Sequence, residues 1–220
     1  MKIIAMFVIA LSLALTACGS TPKTVKVEIS ADLNSMRIPA GIIEAQFDKT
    51  FQFKKESVEI EYFPREDLVC LKFRNEFVTY YQFWSKSNRE AFVSALEKYK
   101  EDYVERRLGK NSRKAKQQYG AVYGFIIWQM ARFAIQAKST TDIEMGYYFK
   151  NKAPYFTLNQ LEAYYEDAVS KENNRRSKDI MIYFTRAQAD NLKGFFDQEF
   201  LWNLIPSGVS NFDDVEQDEH

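Results

Sequence analysis

Two cysteines and one histidine are the side chains of this sequence best suited to nucleophilic or acid–base chemistry. Cys18 follows an apolar N-terminal run, Cys70 lies in an alternating apolar stretch, and His220 follows an acidic tail. Catalysis of the Ser-His-Asp or Cys-His type needs a base beside the nucleophile, and His220 is badly placed for that. The sequence holds neither a Gly-rich phosphate loop nor a CxxC pair, and no spacing singles out one pair among its 30 acidic residues. We therefore predict a protein without enzymatic activity, catalytic residues, metal ligands or a bound cofactor.

The residues before Cys18 have the layout of an export signal. Lys2 supplies a positive charge, residues 3–15 form an apolar run broken only by Ser12, and small residues precede the cysteine. This run is shorter than the roughly 20 apolar residues that a permanent membrane helix needs. We therefore interpret residues 1–17 as a signal peptide that is removed.

The stretch Leu15-Thr16-Ala17-Cys18-Gly19 resembles the lipobox of bacterial lipoproteins. The resemblance implies cleavage before Cys18, diacylglycerol on its thiol and, usually, an acyl chain such as palmitate on its amine. Two or three acyl chains, each methylene adding about 0.8 kcal/mol, anchor a protein stably in a membrane. Gly19 replaces the Asp that marks inner-membrane retention in the enterobacterial pattern, which favours the outer membrane or the cell surface. The alternative is an ordinary signal peptide with a chance cysteine.

Charge and cysteine content narrow the remaining classes of function. The chain carries 30 basic and 30 acidic side chains, and loss of the signal peptide removes only Lys2. No overall field attracts nucleic acid, which makes a nucleic-acid partner improbable for an exported protein. Once Cys18 carries lipid, Cys70 is the single remaining thiol, so the chain has no internal disulfide. We expect Cys70 to be a small buried apolar residue in a strand.

The rest of the chain divides into a tether, one domain and a tail. Residues 18–35 read as the tether with a possible first strand at Val25–Ile29, residues 36–205 as a single domain, and residues 206–220 as an acidic disordered tail. Asn34–Gly41 is expected to be loop. Period-2 alternation predicts several antiparallel strands across the domain.

Two helices are predicted between the strands. The first has capping-box spacing at Ser87 and Glu90 and is expected to end at Gly109, and the second has the same spacing at Thr185 and Gln188. The predicted fold class is therefore α+β, with antiparallel sheets and two helices.

The two halves of the domain, about residues 40–110 and 115–205, show similar patterns that indicate an internal duplication of a β-meander plus helix. Residues 75–81 align with 159–165, residues 60–63 with 145–148, and Ser85 with Thr185. Over about residues 55–200 this order of elements resembles the Whirly and PUR-type architecture, whose members bind single-stranded nucleic acid through basic and aromatic sheet faces. The alternative is coincidence between two aromatic-rich stretches.

The aromatic content predicts a role in non-enzymatic binding or in an envelope interaction with a protein partner through an aromatic sheet face. One alternative is a carrier that holds a small molecule, lipid or glycan between sheet and helices. A second alternative is an anion or single-stranded nucleic-acid binder that uses a basic segment. The candidate anion-binding residues of that segment are Arg106, Arg107, Lys110, Arg113, Lys114 and Lys116.

Overall fold

The structure, a computed structural model, describes residues 31–49, 52–109, 115–130, 136–165 and 176–205. The strands are β1 (Ile38–Lys49), β2 (Gln52–Phe63), β3 (Leu68–Asn75), β4 (Val78–Trp84), β5 (Gly120–Met130), β6 (Gln136–Lys150), β7 (Ala153–Gln160), β8 (Ala163–Tyr164), β9 (Arg176–Ser177) and β10 (Ile180–Phe184). The helices are α1 (Lys86–Val104), α2 (Arg186–Phe195) and α3 (Gln198–Asn203), with a 3₁₀ helix at Ala115–Gln117.

Eight of these strands close into an antiparallel barrel. Each strand pairs with its sequence neighbour from β1 to β7, and β10 pairs with both β7 and β1. The short strands β8 and β9 pair only with each other and are inserted between β7 and β10. The predicted combination of antiparallel sheet and helices is confirmed. The closure into one barrel was not predicted, and the described residues contain three α-helices where two were expected.

Alternation along the strands separates an interior from an exterior. In β2, Val58, Ile60 and Tyr62 are buried, whereas the intervening Glu59 is exposed and Glu61 partly so. In β3, Val69, Leu71 and Phe73 take the interior positions. A barrel of eight strands is just wide enough for side chains to fill its interior.

The helices α1 and α2 cover one end of the barrel. Phe92 of α1 contacts the rings of Trp84, Phe156 and Phe196, and all four rings are at most 4% exposed. Each helix begins directly after a strand: Ser85 caps α1 by accepting from the Asn88 N–H. These rings are buried close to the points where the strands end and the helices begin. Their packing therefore sets the position of the helices on the barrel.

Several boundaries differ from the sequence prediction. Residues 38–41 form the start of β1, where a loop was predicted. Pro39 is exposed, and the register shifts between Pro39 and Gly41, yet the strand still pairs with β2. The N-cap of α1 is Ser85 instead of Ser87, and the helix ends at the C-cap Glu105, before Gly109. The capping box of Thr185 and Gln188 is confirmed.

The order of elements is four barrel strands followed by a helix, twice. The aligned pair Ser85 and Thr185 are the N-caps of α1 and α2, and the aligned segments 60–63 and 145–148 lie in β2 and β6. The alignment of 75–81 with 159–165 is wrong at its second half. Tyr80 lies in the barrel strand β4, whereas Tyr164 lies in β8, outside the barrel.

Candidate binding surfaces

The interior of the barrel is filled by side chains and crossed by a chain of hydrogen bonds. The indole N–H of Trp84 donates to Gln82 (3.0 Å), the Gln82 amide to Gln160 (3.1 Å), and the Gln160 amide to Ser177 (3.1 Å). These four residues are fully buried. Because buried polar groups are costly without partners, this chain fixes β4, β7 and β9 relative to one another. The carrier alternative, which places a ligand between sheet and helices, stays a prediction.

One outer surface of the barrel is apolar, and we call it the covered face. It consists of side chains from the strands β2 to β5, namely Phe63, Leu68, Cys70, Tyr81, Phe83, Phe125 and Ile127. These side chains occupy the outward positions of their strands, yet each is at most 9% exposed. Phe83 contacts Phe63 and Phe125 at centroid distances of 5.4 and 5.7 Å. Burial raises the pKa of the Cys70 thiol well above its usual range, which makes it a poor nucleophile.

A second outer surface, on the other side of the barrel, combines aromatic rings with charges. Lys150 extends its ammonium over the rings of Phe53, Tyr148 and Tyr183, with distances of 5.4, 5.5 and 5.5 Å to the ring centroids. We call this group of three rings the aromatic cage. Tyr155 packs edge-to-face on both Phe53 and Tyr183. A cation within about 6 Å of several ring faces is stabilised by the ring quadrupoles.

Asp48 completes the cage with a negative charge. Its carboxylate lies 2.7 Å from the Lys150 ammonium and accepts a hydrogen bond from the Tyr183 hydroxyl. Burial and the neighbouring Asp48 raise the pKa of Tyr183 well above its usual range, so this hydroxyl stays protonated and remains a donor. Tyr148 is 39% exposed and the Asp48 side chain 48%. The cage is thus a cation site that solvent reaches.

Distant segments of the chain form the cage. The β1–β2 hairpin supplies Asp48 and Phe53, which oppose each other in the register. The hairpin of β6 and β7 supplies Tyr148, which pairs with Tyr155, and Tyr183 comes from β10. A recess of about 250 Å³ lies beside the cage and shares Asp48, Tyr148 and Tyr183 with it. The other residues that line this recess are Asn75, Lys116, Asn159, Asp179, Ile180 and Met181.

A groove of about 570 Å³ lies between α1 and the segment of α2 and α3. Val93 and Phe196 contribute apolar surface, and both signs of charge surround them. Lys193 is paired with Glu97 at 2.7 Å, and Asp190 with Lys100 at 3.0 Å. Because its charged groups largely neutralise one another across the two helices, the groove shows no preference for a charged ligand.

Arg89 lies at the wall of this groove and is only 2% exposed. Its guanidinium donates to the Asp67 carboxylate at 2.9 Å, to the Gln198 side chain at 2.6 Å and to the carbonyls of Asp67 and Trp84. In the described part of the chain, its Nε has no hydrogen-bond acceptor. Since this arginine joins the β2–β3 turn to α3, its role is to position the helices.

The residues predicted from the sequence as sites are only partly described. Cys18, Lys110, Arg113 and Lys114 lie outside the described residues. Arg107 is held by the acidic side chains of Glu101, Asp102 and Glu105, and Asp102 lies 2.7 Å from it. Arg106 and Lys116 are exposed, and Lys116 lines the recess beside the cage. The charge of Arg107 is thus neutralised by its neighbours, and an anion-binding role of this segment stays a prediction.

The cage was not predicted from the sequence. Tyr148 and Lys150 alternate with Tyr147 and Phe149 along β6. The strand was predicted from its inward apolar residues, so the outward residues were not considered as a site. A usable signal was present in the hairpin at residues 148–155, since strict antiparallel pairing across its turn sets Tyr148 opposite Tyr155. Phe53 and Tyr183 are too distant in sequence for any local pattern to bring them there.

Two other kinds of feature are absent from the described ranges. They contain no cluster of three or more His, Cys, Asp or Glu side chains arranged to hold a metal ion. They also contain no helix of the length and apolarity needed to cross a membrane.

A family model described as "Uncharacterised Treponema protein" matches residues 35–203. This match covers more than three quarters of the chain and includes the barrel, the cage and the helices. No curated protein and no solved structure matches the chain significantly.

Proposed function

The chain belongs to the family described as uncharacterised Treponema protein, and we propose that it is a lipid-anchored protein of the bacterial envelope. Its role in this proposal is binding rather than catalysis, and its binding surface is the aromatic cage on the outside of the barrel. The ligand class is a substituted ammonium group carried by a partner, such as a lysine side chain or a quaternary ammonium. The observation that supports it is a cation held by three rings and a carboxylate at a surface open to solvent.

The anchor in this proposal is the lipobox at residues 15–19, with Cys18 as the lipid-bearing residue. The covalent lipid would be its only attached group, and the outer membrane or the cell surface its location. Replacement of Cys18 by Ala is expected to abolish metabolic labelling with a palmitate analogue. A variant that is labelled as strongly as the wild type would contradict the anchor. Protease digestion of intact cells, compared with permeabilised cells, would then decide on which side of the membrane the barrel lies.

The ammonium of Lys150 shows which chemical group the cage can bind from a partner. Lys150 shows that the site accepts an ammonium and that Asp48 neutralises it. Each exposed cation–π contact contributes only about 0.5–1 kcal/mol, so the three contacts together contribute about 1.5–3 kcal/mol. Its side chain is 27% exposed and lies at the end of β6. A partner's ammonium therefore competes with Lys150 for the same rings and the same carboxylate.

A titration with tetramethylammonium tests this proposal directly. Lys150→Met keeps an apolar stem in place, removes the competing charge and leaves Asp48 without its lysine. We expect this variant to bind tetramethylammonium about tenfold more tightly than the wild type, a difference of about 1.4 kcal/mol. The shifts of the tyrosine ring protons in NMR spectra report the binding.

Two further variants serve as controls for the titration. Tyr148→Ala in the Lys150→Met background removes one wall of the cage and is expected to abolish the gain. Tyr164→Ala, which removes a tyrosine that is 62% exposed in β8, is expected to leave binding unchanged. Equal tetramethylammonium affinity in Lys150→Met and the wild type would contradict the cage as a binding site. Equal losses of affinity with Tyr148→Ala and Tyr164→Ala would contradict it as well.

The same proposal includes an internal duplication of a four-strand-plus-helix unit. The repeated order of elements, with Ser85 and Thr185 as equivalent N-caps, supports it. The insertion between β7 and β10 accounts for the greater length of the second unit. Superposition of β1–α1 on β5–α2 in an experimental structure tests it, since chance similarity predicts unrelated strand tilts and side-chain positions.

A further inference from the structure

We propose that the covered face is the docking site of the chain's own N-terminal segment, Val25–Ile29. Docking there would hold the barrel close to the membrane in one orientation. This inference is independent of the cage, which lies on the other side of the barrel.

The covered face needs an occupant because of where it lies. Its seven apolar side chains point away from the barrel interior, whereas outward positions elsewhere on β1 and β2 include Glu44, Asp48 and Glu59. An apolar patch of this kind on the outside of a protein is normally an interaction site. Yet Cys70 and Phe83 are both 0% exposed.

The described residues supply only part of the cover. The partly buried apolar side chains that pack against this face are Ala31 and Leu33. One methyl group and one leucine side chain are too small to bury four aromatic rings together with Leu68, Cys70 and Ile127. Arg37, Glu61 and Lys72 lie near the Cys70 thiol, and their aliphatic stems can shield part of the face. We infer that apolar side chains upstream of Ala31 cover the rest.

The chain enters the covered face from its N-terminal side. Asn34 and Asp32 form a tight turn in which the Asn34 N–H donates to the Asp32 carboxylate at 2.9 Å. Ser35 donates to Glu66 at 2.9 Å and so fixes this turn beside the loop between β2 and β3. Because Ala31 already packs against the face, the residues directly upstream of it can continue the cover.

Their sequence fits the task. Val25, Val27 and Ile29 alternate with Lys26 and Glu28, so one side of an extended segment is apolar and the other charged. Extended residues 25–29 span about 13 Å, and the three strands from β3 to β5 span about 10 Å between their axes. Because the eight described barrel strands close on one another, the barrel offers this segment no strand edge to extend. It must dock through its side chains.

Docking sets the distance to the membrane. If Val25 lies on the barrel, only residues 19–24 connect it to the proposed lipid on Cys18. Six extended residues reach about 20 Å. The covered face would then be turned towards the membrane and the cage away from it, towards a partner.

The thiol of Cys70 reports on this docking. The experiment treats the full chain, purified in detergent, with N-ethylmaleimide and follows labelling of Cys70 by peptide mass spectrometry, which separates it from Cys18. The test variant is Val27→Ser with Ile29→Ser, and the matched control is Lys26→Ser with Glu28→Ser on the charged side. We expect labelling at least about tenfold faster in the test variant than in the wild type and the control, because its thiol is uncovered.

A second thiol, placed inside the barrel, detects any general unfolding of the variants. Ala45 is fully buried inside the barrel, and the substitution Ala45→Cys, added to every variant, provides an interior probe. Selective labelling of Cys70, with the interior probe unlabelled, supports the docking. The proposal is overturned if Cys70 is labelled no faster in the test variant than in the control, as a second copy or another partner on this face would cause. It is also overturned if Cys70 and the interior probe become labelled together.

Discussion

The two outer surfaces of this barrel have similar aromatic content and opposite character. On the covered face, phenylalanine rings contact one another and the side chains are at most 9% exposed. At the aromatic cage, rings are interleaved with Lys150 and Asp48, and Tyr148 is 39% exposed. Aromatic richness by itself therefore does not identify a binding surface. What distinguishes a surface for ligands is the presence of charges among rings that solvent can reach.

The largest expected effect contrasts truncation of a ring on each surface. Phe83→Ala removes a fully buried ring that contacts Phe63 and Phe125, and is expected to cost about 3–5 kcal/mol of unfolding free energy. Tyr148→Ala removes a ring that is already partly in water and is expected to cost less than about 1 kcal/mol. Urea unfolding of both variants measures the difference. Equal losses of unfolding free energy would mean that both surfaces contribute equally to the stability of the fold.

A smaller effect is expected at Gly146, on the outside of β6 between the two surfaces. A methyl group there would clash with the backbone carbonyl oxygens of Ala115 and Lys116. Gly146→Ala is expected to cost about 1–3 kcal/mol, because backbone must move to admit it. Gly194→Ala serves as the control, since its new methyl group meets nothing within 4 Å. Thermal unfolding of both variants provides the comparison, and equal melting temperatures would argue against this close packing.

The hydrogen bond between Tyr183 and Asp48 should contribute less. Bonds to charged groups contribute about 1.5–3 kcal/mol when buried, and the exposure of Asp48 reduces this to about 1 kcal/mol for Tyr183→Phe. A double-mutant cycle with Asp48→Ala isolates the interaction. Additive losses in the cycle would show that the two groups are not coupled in solution.

The smallest effect is a dependence on pH in the β1–β2 hairpin that carries Asp48 and Phe53 into the cage. The hydrogen bond from Lys49, at 2.6 Å, is the main cause that lowers the pKa of Glu56 below its ordinary value of 4.5. The folded pKa lies below the unfolded one, so the stabilisation is present above pH 4.5 and is lost as the pH falls through the folded value. At this partly exposed site it should reach about 0.5 kcal/mol at most.

Unfolding of the wild type and Lys49→Met between about pH 3 and pH 7 measures this contribution. The two proteins should differ in stability at the upper end of that range and converge at the lower end. A constant difference across the range would mean that Glu56 has no part in it. The covered face should show no matching acid dependence, because its residues are apolar or titrate only at alkaline pH.

A good part of the fold followed from local pattern. Alternation such as Val58, Ile60 and Tyr62 predicted the strands, and Thr185 with Gln188 predicted the start of α2. The predicted start of α1 was wrong because two serines both fit the capping rule. Ser85 and Ser87 both offer a hydroxyl before the same helix, and the strand that ends at Trp84 decides for Ser85.

The sequence alone determined the alternation of inward and outward residues, because a strand places successive side chains on opposite faces whatever its partners are. It also contains the N-terminal pattern from which the signal peptide and the lipid anchor are predicted. Only the tertiary structure decided that the eight strands close into a barrel. Closure sets Phe53, Tyr148 and Tyr183 around one ammonium although they lie far apart in the chain. It also decided which outward face is covered, since burial depends on what packs over a strand, and a strand's own residues do not encode its cover.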